Sequence, residues 1–192
     1  MKTTLNAIRE HRPCKDGWEK LLKYLGKTSP DDEPLSLLTI LESNGFDHAL
    51  WCFCALDGFE KEKLLLGIGF AREVERWMPD ESKKSLDVFE RYANGLVTQK
   101  EFDAAAVAAR AAAALVSGAA SAARAAAWAA ADAADAATAA DYAAWAAARA
   151  VAPASAYAAD DATAAYDAAY STIKAKQETQ LRELLEKTCT QP

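Results

Sequence analysis

The sequence predicts an all-α protein: a bundle of short helices followed by long alanine-rich helices, arranged as a helical hairpin or an extended bundle. Three observations carry this. Residues 104–169 are roughly three-fifths alanine, and alanine is the best helix former because it loses no side-chain entropy in a helix. The residues that interrupt the alanine recur at steps of three, four or seven: Ser117, Ser121, Arg124, Trp128, Asp135, Thr138, Tyr142, Trp145 and Arg149. On one continuous helix that spacing forms a single stripe. Finally, the first hundred residues divide into short apolar-periodic segments separated by Gly, Pro and Asn stops.

The elements follow in order. Residues 16–25 (DGWEKLLKYL) put Trp18, Leu21, Leu22 and Leu25 on one face and stop at Gly26, a natural C-cap. The loop KTSPDDEP brackets an acidic run between Pro30 and Pro34. Residues 35–43 read as helix, stopped by Asn44-Gly45, and 47–56 (DHALWCFCAL) as another, stopped at Gly58. The longest periodic segment of this half is 60–78, where Leu64, Leu65, Ile68, Ala71, Val74 and Trp77 share a face and Pro79 ends the run. Asp80 is positioned to N-cap a helix running to Ala93.

Asn94-Gly95-Leu96 then reads as a Schellman stop. Directly after it, Thr98 and Glu101 form a capping box, with Val97 and Phe102 at staple positions. Beyond this boundary the sequence predicts helices over 99–117, 119–152 and 154–188. Ser117-Gly118 and Pro153 supply the breaks, and the middle helix is about 50 Å long. Pro153, Ala154 and Ser155 turn the chain into an antiparallel hairpin, and Leu181, Leu184 and Leu185 form the docking face of the last helix. Two regions result: an N-terminal helical bundle, 1–97, and an alanine-rich long-helix region, 98–192.

Charge and composition exclude several classes. The net charge is −6 and the pI about 5.0. Residues 1–103 carry 15 Lys/Arg against 19 Asp/Glu, the alanine tract 3 against 6, and 171–192 carry 4 against 3. No basic stripe tracks phosphates, so no nucleic-acid partner is expected. MKTTLNAIREHRP has charges where a signal peptide has its apolar core. Asp132, Asp135, Asp141 and Arg149 interrupt the tract too often for a membrane span. Four cysteines (Cys14, Cys52, Cys54 and Cys189) suit reduced cytosolic thiols. The expectation is a cytoplasmic protein with no membrane association.

Candidate chemistry is sparse. His11 with Cys14 and His48 with Cys52 have i,i+3 and i,i+4 spacing, which on helices would give a Cys₂His₂ metal set. Neither spacing is that of a zinc finger, and buried free cysteines are ordinary core residues, so no metal and no cofactor is assigned. Gly67-Ile68-Gly69 has Arg72 where a dinucleotide loop needs its third glycine, so close helix packing explains it better. No nucleophile–base arrangement is visible in the chain, and no catalytic residue is assigned. Residues 31–33 (DDE) are a solvated loop. Thr138 and Thr163 are too far apart for an ice-binding array. The six tract aspartates, diluted by three arginines, mimic DNA poorly.

The stripe is the candidate site: Arg124, Trp128, Asp132, Asp135, Tyr142, Trp145 and Arg149. Aromatic and Arg side chains on a rigid helix are what binding hot spots favour. The other reading makes Trp128, Tyr142 and Trp145 knobs that pack the rod against its neighbours.

The segments CKDGWEKLLKYLGKTSPDDEPLSLLTILESNG, DHALWCFCALDG and ERYANGLVTQKEFDAAAVAARAAA resemble an alanine-rich immunity protein family of bacteria and prophages, encoded near toxin loci and on mobile elements. That family has a D-A-L-W-C helix, a Leu-rich helix, an A-E-R-Y-A-N-G-x-A-T-x-x-E-L hinge and an Ala/Trp/Arg-rich tail. Here 47–52 reads D-H-A-L-W-C, one residue longer. Residues 91–95 match the hinge, and 98–102 keep its capping pattern with Phe in place of Leu. The resemblance covers nearly the whole chain and its motifs are structural, so it implies a fold and supplies no catalytic residue. The function it implies is a non-catalytic, inhibitory protein-binding module, monomeric or homodimeric, that neutralises a toxin. An inhibitor of a host defence complex, anti-CRISPR or anti-restriction, fits equally, with a defence-complex subunit as partner. A structural helical stalk is the alternative of another class.

Overall fold

The computed structural model describes residues 1–115, 122–133, 135–151 and 160–189, and ten α-helices lie among them. The protein is all-α, as the alanine content and the periodic segments require. It forms two compact units, residues 1–60 with 181–192 and residues 61–180. The expected breaks at Ser117-Gly118 and Pro153 fall outside the described residues.

In the first unit, α1 (Leu5–Glu10) starts at Thr4, whose side chain accepts a hydrogen bond from the Ala7 amide at 3.1 Å. The expected helix over 16–25 is α2 (Lys15–Leu25), closed at Gly26. α3 (Leu37–Asn44) begins two residues later than the periodicity predicts. Ser36 caps it by accepting from the Leu38 amide at 3.2 Å, which leaves Leu35–Ser36 extended. These two residues (β2) pair antiparallel with Lys2–Thr3 (β1), Lys2 opposite Ser36 and Thr3 opposite Leu35. α4 (Phe46–Trp51) passes into a 3₁₀ turn, Cys52–Ala55. Leu5, Ile8, Leu21, Leu37, Ile40 and Leu50 form the core, together with Leu181 and Leu185 from the end of α10 (Asp160–Cys189). Leu184, the third residue of the expected docking face, is only partly buried.

The second unit opens with α5 (Glu60–Arg72), shorter than the apolar pattern over 60–78. The Val74 amide bonds to Ala71 O, tightening the last turn, and residues Glu75–Trp77 continue as a 3₁₀ turn. Arg72 anchors the corner through Glu75 at 3.1 Å, Asp87 at 2.8 Å and Glu90 at 2.9 Å. In α6 (Asp80–Ala93) the cap position falls on Pro79, so Asp80 is the first helical residue and not the N-cap. Its negative charge still suits the positive end of the helix dipole.

Between α6 and α7 (Gln99–Leu115) the Schellman stop and the capping box form as their residues predict. The Leu96 amide bonds to Arg91 O at 2.9 Å with Gly95 at φ 72°, a conformation that a side chain disfavours. Glu101 accepts from the Thr98 amide at 2.8 Å, and Thr98 accepts from the Glu101 amide at 3.3 Å. Phe102 packs on Phe89 and Tyr92, with ring centroids 4.8 and 4.6 Å apart.

The expected single helix over 119–152 does not form. α8 (Ala122–Ala131) and α9 (Ala136–Val151) are separated by a turn between Asp132 and Asp135. The turn has its own chemistry. The Asp135 amide bonds back to Asp132 O at 2.8 Å, and the Asp135 carboxylate caps α9 by accepting from the Thr138 amide at 3.2 Å. α8 and α9 therefore pack side by side as a helical hairpin.

Alanine makes that packing possible. Ala125, Ala126, Ala127, Ala129, Ala130 and Ala131 are all buried, as α8 is enclosed by α6, α7, α9 and the Glu75–Trp77 turn. A helix that is apolar all round belongs in a core. Small side chains let several backbones close on it, and the energy comes from many short contacts. The same closeness explains Gly67 of α5: a Cβ there would lie 1.9 Å from Ala133 O.

Candidate protein-interaction site

The hairpin decides the fate of the stripe. Were 119–152 one helix, Trp128 and Tyr142 would stand about 21 Å apart along its axis. Folded back at Asp132–Asp135, their ring centroids are 6.2 Å apart and nearly parallel. Tyr142 lies 6.3 Å from Trp145 in turn, and the Arg149 guanidinium sits over the Trp145 ring at 5.5 Å. A line of residues has become a patch that spans two helices.

The members of the patch differ in burial. Tyr142 packs against the alanine core and Trp128 is partly buried, while Trp145 is 44% exposed. Packing and surface presentation are thus divided among residues that the sequence places on one stripe. Asp135 is exposed and doubles as the cap of α9. Asp132 is partly buried, and this burial, more than any neighbour, pushes its carboxyl above the usual range. Arg110 pulls it back and Asp135 pushes it further. Arg124 lies on α8, and its side chain falls outside the described residues. Beside the patch, exposed Asp141 pairs with Lys174 of α10 at 2.6 Å.

Chemically, the patch offers a flat apolar ring, a stacked guanidinium and nearby carboxylates. Such a surface desolvates readily and still fixes orientation through charge. What the sequence could not reveal is the fold-back that assembles it. The signal was nonetheless present: Asp132, Asp135 and Thr138 carry the turn and cap chemistry, although their spacing also continues the stripe.

His48 and Cys52 stay one helical turn apart, the Cys52 amide bonding to His48 O, whereas His11 and Cys14 separate. His11 ends α1 and Cys14 precedes α2, so the two share no helix face. Cys14 instead meets His48 of α4, its Sγ 3.7 Å from Nε2. Cys52 is buried and Cys54 exposed, the divergence expected of alternate residues in a tight helix. Among the described residues no three His, Cys, Asp or Glu side chains converge as a metal site. No described helix is long and apolar enough to cross a membrane. Compared with known proteins, the chain matches no family model, no curated protein and no solved structure.

Proposed function

We propose that the protein is a non-catalytic, inhibitory protein-binding module that neutralises a protein partner, as an immunity protein neutralises its toxin. The observation that carries this reading is the contiguous Trp128–Tyr142–Trp145–Arg149 patch with its outermost ring exposed. The resemblance to alanine-rich immunity proteins supports it, and so does the acidic balance of the chain, which suits a basic partner. A nuclease toxin, which must itself be basic to hold nucleic acid, is the partner class that best fits this chemistry.

The test is capture of partners on the tagged protein from native host lysate, repeated with Trp145→Ala. Recovery of a toxin, weakened about tenfold or more by Trp145→Ala while Tm is preserved, is the expected result. Retention of that partner at full strength by Trp145→Ala would remove the patch from the interface. Recovery of subunits of a CRISPR or restriction assembly would reassign the protein to inhibition of host defence.

A further inference from the structure

We infer that Cys14 is a covalent acylation site, at which a medium-chain acyl group is transferred from a thioester to the thiol and its chain is seated in the adjoining apolar cavity. The site belongs to the first unit and does not depend on the interaction patch.

Three features of the structure meet there. The first is the pairing of an exposed thiol with an imidazole, Cys14 Sγ to His48 Nε2 at 3.7 Å. That separation is within reach of an S–H···N hydrogen bond, the arrangement by which a base activates a nucleophile. With the proton of neutral His48 on Nδ1, Nε2 is free to accept.

The second is a cavity of about 250 Å³ on which the thiol opens. Its walls include Ile8, Trp18, Leu21, Ile40 and Trp51, and they are almost wholly apolar. A cavity of about 150 Å³ with such a lining already holds benzene, so this one has room for an alkyl tail.

The third is the way the pair is held. Gly17 stands in the first turns of α2, where a glycine weakens the helix. A Cβ at that position would lie 2.6 Å from His48 Cδ2, 2.7 Å from Nε2 and 3.0 Å from Cys14 Sγ. Its backbone is tied down as well, because Asn44 Nδ2 donates to Gly17 O at 2.7 Å while Ser43 donates to Asn44 Oδ1 at 2.9 Å. The missing side chain is what lets the imidazole reach the sulfur. The positive end of the α2 dipole lies on the same side, where negative charge develops during attack.

The step balances without an oxidant or a metal. Cys14 Sγ attacks the thioester carbonyl carbon as its proton passes to His48 Nε2. The tetrahedral intermediate then collapses with loss of the leaving thiolate, which takes the proton from His48. One thioester bond breaks and one forms. The other thiol of the cavity is no competitor, since burial pushes Cys52 up to about 12.

The experiment uses the full-length protein and S-acyl N-acetylcysteamine thioesters of two, four, eight and twelve carbons, read by intact mass and peptide mapping. The result expected is one adduct per chain at Cys14, forming about tenfold or more faster with the octanoyl than with the acetyl donor. His48→Gln should slow octanoylation about a hundredfold. The same variant should slow alkylation by iodoacetamide, which has no tail, while leaving Cys52 protected as evidence of folding. Equal rates for all chain lengths would overturn the role of the cavity. A rate unchanged by His48→Gln, or an adduct formed mainly at exposed Cys54, would overturn the site. The chain-length series needs only the wild-type protein, so it decides even if a variant fails to fold.

Discussion

At the residue scale, two glycines of α5 separated by one position have opposite meanings. Gly67 faces the backbone of the α8–α9 turn, where a Cβ would meet Ala133 O at 1.9 Å, and a carbonyl in a capped turn cannot step aside. Gly69 faces the end of the Gln180 side chain, Oε1 at 3.3 Å, which need shift by only a few tenths of an ångström while its Nε2 keeps the hydrogen bond to Glu73. Gly67→Ala should therefore cost about 2–4 kcal/mol by overpacking. Gly69→Ala should be close to neutral or stabilise by up to about 1 kcal/mol. Urea unfolding of both variants checks the pair, and equal effects would contradict the asymmetry.

Asp132 gives a pH prediction at the same scale. Its carboxyl is held above the usual carboxylate range, chiefly by burial. The folded state then binds more protons than the unfolded state between the two pKa values, and stability falls as pH rises through that window. Asp132→Asn removes the charge that the fold disfavours. It should raise Tm at pH 7 and leave it unchanged near pH 3, where the wild-type carboxyl is already neutral. An equal gain at both values would point to packing and not to charge.

At the element scale, the hairpin depends on the turn that divides α8 from α9. Alanine alone would continue the helix, since it has the highest propensity of any residue. Asp135 ends that by offering its carboxylate to the Thr138 amide, and Asp132 O closes the turn. Asp135→Ala should cost about 1 kcal/mol through loss of the cap, whereas Asp135→Asn should retain most of the stability because its side chain caps equally well. Thermal unfolding of the two variants reads the difference. In partner capture the order should change, because an interface that uses the Asp135 charge is weakened by both.

At the scale of the whole molecule, the end of the chain belongs to the unit at its beginning. Leu181 and Leu185 are buried there, and the Met1 amine donates to Thr188 Oγ1 at 3.0 Å. Leu185→Ala should cost about 2–5 kcal/mol, and the damage should be read in the first unit. Protected Cys52 becomes accessible to a thiol reagent in the variant at denaturant concentrations where the wild type still shields it. If Cys52 stayed equally shielded, Leu185 would not contribute to that core.

How much of this was legible in the sequence varies with the range of the interaction involved. The all-α class, the stop at Gly26 and the 94–101 boundary were readable because each rests on residues a few positions apart, whose hydrogen bonds close locally. The aromatic and Arg members of the patch were named by their spacing for the same reason. Their meeting was not readable, because a stripe on a rod and a patch on a hairpin use the same residues. Only the turn at Asp132–Asp135 distinguishes the two. The Cys14–His48 contact joins residues 34 positions apart, which no spacing within a single helix can express. The sequence by itself determined that the chain would be helical and where several helices would start and stop. Tertiary structure decided which faces met, because alanine favours a helix in every context and contributes too little shape to choose its neighbour. That choice fell to a few glycines, caps and rings whose partners lie far away in the chain.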